Sequence, residues 1–210
     1  MKQLLLPLFL VASIAAPAAF GSTLAITSFT NSSSAGHSNY DVAGYQFNTS
    51  SAIDITSLGM WVSGESLADS HNIGVYTLGG VLQFSGSVAS GATGDTDGFT
   101  WVDLTGSHVL AAGDWFIGVQ YNAGSADKMF DGSGSINMAS GLTFLNAQVY
   151  YSGSAINFSD PSVGTGIFTE GLPRDSFIGP NFKFDAVPEP GTWVMLVGGL
   201  VAVTLRRRHV

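Results

Sequence analysis

The chain predicts an all-β fold, an antiparallel two-sheet sandwich, and three observations carry that expectation. Short runs in which apolar and polar residues alternate recur from Tyr40 to Asp185. Segments rich in Gly, Ser, Asn and Asp separate them as exposed loops. No window between the two apolar ends combines helical spacing with helix caps over a useful length. Many short strands without a strong repeat favour two packed antiparallel sheets.

The first strand is expected over Tyr40 to Phe47. In the second, Ile53 and Ile55 share a face, and Leu58, Met60 and Val62 resume after a one-residue slip, which places a bulge or turn at Thr56-Ser57. Ile73, Val75 and Thr77 precede Gly79-Gly80, and Val81 to Val88 follow. A double glycine between such runs provides the positive φ angles of a tight hairpin. Phe99 to Leu104 reads as the next strand. Asp114 to Asn122 alternates most cleanly, with Trp115, Ile117, Val119 and Tyr121 on one side and Phe116, Gly118 and Gln120 on the other. Gln148 to Tyr151 and Phe182 to Asp185 complete the set. Ser85 to Gly98 and Asp131 to Gly141 are expected to be loops.

The two ends read differently. Lys2, the apolar run Leu4 to Ile14 and the small residues Ala15 to Ser22 have the layout of a secretory signal peptide, residues 1–21, cleaved between Ala18 and Ser22. The β domain then spans 22–186 and the tail 187–210. In that tail Pro188-Glu189-Pro190 is followed by the uncharged run Gly191 to Leu205, which Arg206, Arg207 and Arg208 stop. An apolar run closed by a basic cluster reads as a membrane segment with its arginines in the cytoplasm. From Thr192 to Leu205 a helix would span roughly 21 Å at about 1.5 Å per residue, against a hydrocarbon core of about 30 Å. Snorkelling arginines and Trp193 at the interface make up part of the difference, and Gly198-Gly199 weakens the helix. An unprocessed single-pass anchor is the plain alternative.

Pro188-Glu189-Pro190, the apolar stretch and the arginine cluster, in that order, resemble the PEP-CTERM sorting signal of Gram-negative bacteria. The resemblance implies processing near Pro188, Glu189 and Pro190 by exosortase, an intramembrane cysteine transpeptidase. Export through the Sec translocon, a membrane intermediate held by residues 191–205 and final placement at the cell surface or in the extracellular matrix follow from it. A second resemblance rests on Ile53-Asp54-Ile55-Thr56-Ser57-Leu58-Gly59, on Leu67 to Tyr76 and on Leu110 to Gly118. Together these are similar to an extracellular jelly-roll-like domain found in PEP-CTERM proteins, over residues 40–185 with Ala123 to Ser162 diverging. It implies a fold and no particular catalysis. The family's association with exopolysaccharide producers implies a biofilm or matrix role.

Charge and cysteine content exclude several classes. Once Lys2 and Arg206 to Arg208 are assigned to the ends, Lys128, Arg174 and Lys183 stand against fourteen acidic residues between Asp41 and Asp185. A nucleic-acid partner requires a basic footprint, and this domain has none. With no cysteine, thiol nucleophiles, zinc thiolate sites and disulfide redox chemistry are excluded.

Candidate chemistry is sparse, and a non-enzymatic protein is expected. Asp95 and Asp97, in Asp95-Thr96-Asp97-Gly98, place two carboxylates in a glycine-rich loop of the kind calcium uses, without the twelfth-position Glu of an EF-hand. Turn aspartates bonding their own backbone are the ordinary reading of that pattern. Asp127 and Asp131 are weaker calcium candidates. His71, with Asp69 and a serine, permits a triad on paper, but no Gly-x-Ser-x-Gly pattern marks a nucleophile. A hydrolase is therefore one alternative. A carbohydrate-binding module is the other, with Trp61, Trp101, Trp115, Tyr76 and Tyr121 as possible platform rings, each also suited to a core, and Tyr150 and Tyr151 on opposite faces of their strand.

Overall fold

Alternation along Gly113–Gln120 sends Ile117 and Val119 to one side of the backbone and Phe116 and Gly118 to the other, and all four are buried. Such a strand needs cover on both faces. The computed structural model of the protein describes residues 22–29, 33–36, 40–121, 125–131, 136–151 and 179–188. The expected signal peptide lies outside them, as do Glu189, Pro190 and the apolar and arginine parts of the tail.

The described residues form β1 (Thr23–Leu24), β2 (Ile26–Phe29), β3 (Ser33–Gly36), β4 (Tyr40–Thr49), β5 (Ile53–Trp61), β6 (His71–Thr77) and β7 (Leu82–Val88). Then follow β8 (Phe99–Asp103), β9 (Val109–Leu110), β10 (Gly113–Gln120), β11 (Lys128–Asp131), β12 (Ile136–Met138), β13 (Leu142–Tyr151) and β14 (Pro180–Ala186). No helix occurs among the described residues, as expected of an all-β chain. The first sheet runs β1-β14-β5-β8, with β9 also on β5, and the second runs β13-β4-β10-β6-β7. Two short ladders, β3 with β11 and β2 with β12, lie apart from them.

The pairing is nested. Taking β8 and β9 as one arm, β1 pairs with β14, β4 with β10, β5 with β8 and β9, and β6 with β7, all antiparallel. First meets last and each following arm meets its counterpart from the other end. A ribbon paired in this way and rolled into two sheets is a jelly roll, so the expected architecture is present. β13 adds one strand beside β4.

Between the sheets, Tyr45 and Phe47 of β4, Ile73 and Val75 of β6 and Ile117 and Val119 of β10 meet Ile55, Leu58 and Met60 of β5 and Phe182 of β14. The Phe47 and Phe182 rings meet with centroids 4.8 Å apart. Each such side chain contributes about 1.5–3 kcal/mol on burial. The slip near Thr56 is a β-bulge: Ser57 stands opposite Lys183 and Ile55 opposite Phe184, leaving Thr56 without a register partner. That extra residue lets Ile55 and Leu58 both face the core.

The outer side of the second sheet carries a further apolar cluster of Val42, Tyr76 and Phe116. It depends on glycine. Gly44, Gly118 and Gly74 stand abreast on β4, β10 and β6, and the Phe116 and Tyr76 rings fold over this row. A Cβ on Gly118 would lie 2.8 Å from the Phe116 ring, and one on Gly74 2.7 Å from the Tyr76 hydroxyl. The hairpin at Gly79-Gly80 forms as expected, with Gly80 at φ +85° and the Thr77 amide donating to the Val81 carbonyl at 2.9 Å.

Two expected loops are partly strand. β7 continues through Ser85, Gly86 and Ser87 to Val88, because small polar side chains are tolerated on the exposed face of an edge strand. β12 occupies Ile136–Met138 inside the second expected loop, and β13 starts at Leu142, ahead of Gln148. Both are held by pairing with distant partners, β2 and β4.

Phe182→Ala should cost about 3–5 kcal/mol in urea unfolding, because it empties the contact between the sheets. Val81→Ser, at a position 52% exposed, should change stability by less than about 0.5 kcal/mol.

Candidate functional site

The most heavily bonded polar cluster lies where the loop after β5 meets the segment before β11. Asp127 accepts from the Ala68 amide at 2.8 Å and the Asp69 amide at 2.9 Å. Its Oδ2 also meets His71 Nε2 at 2.8 Å, and the other ring nitrogen, Nδ1, faces the Gln120 carbonyl at 2.8 Å. Ser125 adds a long hydroxyl contact of 3.4 Å to the same carboxylate, and its oxygen accepts from the Asp127 amide at 3.2 Å. Tyr121 packs edge-on to the imidazole at 5.2 Å.

Electrostatics at this cluster follow from burial and bonding. Desolvation alone would raise the Asp127 pKa, but the hydrogen bonds from His71, Ala68 and Asp69 and the His71 charge outweigh it, leaving the carboxyl below its ordinary value. Burial, and then the Asp127 charge, push the Tyr121 phenol well above its usual range. Both imidazole nitrogens face oxygen atoms, the Asp127 carboxylate and the Gln120 carbonyl. The histidine's carboxylate partner is Asp127, whereas Asp69 contributes only its backbone amide. Nothing local signals this, since Asp127 lies 56 residues along the chain from His71.

Asp95 and Asp97 build a turn. Asp97 accepts from the Phe99 amide at 2.9 Å and from Trp101 Nε1 at 3.2 Å, while the Gly98 amide donates to the Asp95 carbonyl at 2.9 Å. The Asp95 side chain is exposed. Among the described residues no three His, Asp or Glu side chains gather as a metal would need.

The candidate aromatic rings divide. Tyr76 and Tyr121 are buried, and Trp61, Trp101 and Trp115 are half-buried. Trp115 Nε1 donates to the Ala111 carbonyl at 3.1 Å. The Trp101 ring lies across Gly59 on the outer side of the first sheet, with Lys183 Nζ 4.1 Å above its centroid. Asp103, two residues along the same strand, accepts from Ser57 Oγ at 2.8 Å. The side chains of Tyr150 and Tyr151 are outside the described set.

At the C-terminal side, β14 ends at Ala186, the Val187 amide donates to the Ala52 carbonyl at 3.2 Å, and Pro188 is exposed. Residues 186–208 match the PEP-CTERM protein-sorting motif. No curated protein matches the chain. Among solved structures, the VP2 subviral particle of infectious bursal disease virus is similar at 13% identity and a TM-score of 0.26, over 89% of this chain and 49% of the viral one. The chain thus spans about half the length of that viral protein. The jelly-roll order rests on the strand pairing alone.

The lowered pKa of Asp127 sets the sign of a pH effect. Its stabilisation is present above the ordinary value of 3.8 and is lost as pH falls through the lowered folded value. Asp127→Asn should cost about 1.5–3 kcal/mol near neutrality. Unfolding measured down a pH series should show the gap between wild type and variant closing below the ordinary aspartate range, and a constant gap would contradict the assignment.

Proposed function

We propose that the protein is an exported, non-enzymatic surface or matrix component of a Gram-negative bacterium, delivered by a signal peptide and processed by exosortase at Pro188-Glu189-Pro190. One observation carries this reading: the sorting motif begins at Ala186, where the last strand of the sandwich ends. A cut beyond that point removes no strand of the described residues. The motif indicates exosortase-dependent sorting to the bacterial surface, and β14 ends at Ala186, ahead of Pro188. Pro188 and Pro190 fix φ and disfavour helix in the residues before them, a sequence property that suits a segment a transpeptidase must grip. Attachment to exopolysaccharide in a biofilm is the role this placement serves.

A second reading, a carbohydrate-binding module, is favoured by Trp101. It is a half-buried ring on an outer sheet face with Asp97 and Asp103 beside it, and a saccharide would stack there by displacing the Lys183 ammonium that covers the ring, its hydroxyls meeting those charged partners. Loss of glycan binding on Trp101→Ala, with the unfolding midpoint kept, is the result it requires.

Replacing Pro188, Glu189 and Pro190 together by alanine should leave a full-length, membrane-retained chain with an intact β domain. Mass spectrometry of the wild-type protein from exosortase-bearing cells should find the C-terminus trimmed. A mature chain still ending in Arg208-His209-Val210 would sink the sorting reading.

A further inference from the structure

Among the described residues the two sheets have four margins, β1, β8 with the two-residue β9, β13 and β7, and the first three are guarded against pairing with another chain. β1 is only two residues long. β13 carries register irregularities at Leu145 and between Tyr150 and Tyr151. β8 ends on Asp103, exposed at the sheet margin. Short strands, bulges and charges are the usual means of blocking such pairing.

β7 has little of this. Its one irregularity is at Gln83, where the register with β6 shifts, and from Phe84 to Val88 the strand is regular. Among the described residues, no strand pairs with its other side. No Asp, Glu, Lys or Arg occurs anywhere from Asn72 to Gly94, in a chain of net charge −8. Proline is absent from that stretch as well. Four large apolar side chains are exposed among the described residues, Leu78, Val81, Val109 and Leu145. Leu78 and Val81 belong to the turn leading into β7, and Val109 follows His108, whose ring meets Phe84 at 4.9 Å.

We propose that β7 pairs antiparallel with β7 of a second copy of this chain, extending the second sheet across a two-fold axis near Ser85-Gly86. The occupant follows from charge and shape. Two copies of a strongly acidic chain repel, so they approach best through an edge that carries no charge. Across the axis the exposed residues are Ser85 and Ser87, small enough for either to face the other. On the inner side Gly86 is covered by Val102 of the opposite sheet, so that face is already packed and the pairing rests on the strand's free margin. Backbone hydrogen bonds give such a pairing its affinity, and the exposed apolar residues beside it add burial. The pairing is independent of the sorting reading, and its failure would leave that reading untouched.

Ser85 and Ser87 are exposed, so charges there leave the monomer's core unchanged. In density-matched detergent, sedimentation of the full chain should report a dimer. The double variants S85K/S87K and S85E/S87E should each weaken it by about tenfold or more, since either register brings like charges face to face. Mixing the two variants should restore dimers, which a misfolded variant would not do. A monomeric wild type, dimers undiminished in both variants, or a mixture that stays monomeric would each overturn the proposal.

Discussion

The sandwich is closed by its last strand. β14 lies between β1 and β5 and pairs with both, so until it is in place the first sheet is two separate pieces. Phe182 then reaches Phe47 in the opposite sheet, and Asn181 acts as a short length of strand. Its Oδ1 accepts from the Ile26 amide at 2.9 Å and its Nδ2 donates to the Ile26 carbonyl at 3.2 Å. That buried amide fixes where the chain leaves β1. Both faces of β14 are thus committed, one to the hydrophobic core and one to the backbone of the first strands.

Carboxylates do much of the remaining stapling. Asp127 joins the loop after β5 to the approach to β11. Asp54 holds the Ser107 hydroxyl at 3.0 Å and the His108 amide at 2.6 Å, and Asp97 holds the turn into β8. A chain without cysteine has no covalent cross-links, and here buried or half-buried acids bind backbone amides across loops instead. The same chemistry accounts for the acidic residues that a sequence reading offers to calcium or to catalysis. Of these, Asp97 and Asp127 are occupied by the protein's own donors.

How much of this was legible depends on how local the cause is. The strands with strong alternation, β5, β6 and β10, could be read directly, and so could the slip at Thr56, because the phase of a pattern is written in neighbouring residues. β2, β3, β11 and β12 could not, since they are short or weakly apolar and are held by partners far along the chain. His71 could be singled out in the sequence, but its nearest acid there, Asp69, was a misleading partner. The sorting motif was the most legible element because it is linear. The nested strand order left no local trace, and only the resemblance pointed to it.

That nesting also dictates a sequence of events. β6 and β7 are joined by a four-residue turn and can meet almost at once, whereas Thr23 finds its place opposite Phe184 only after nearly the whole domain is available. Loop-closure entropy makes the innermost pair the cheapest to form and the outermost the slowest, on the order of milliseconds to seconds for topologies dominated by distant contacts. Assembly therefore runs from the middle of the chain outward. The strand that emerges first must wait for the strand that emerges last, so the finished sandwich reports that everything up to Ala186 has arrived.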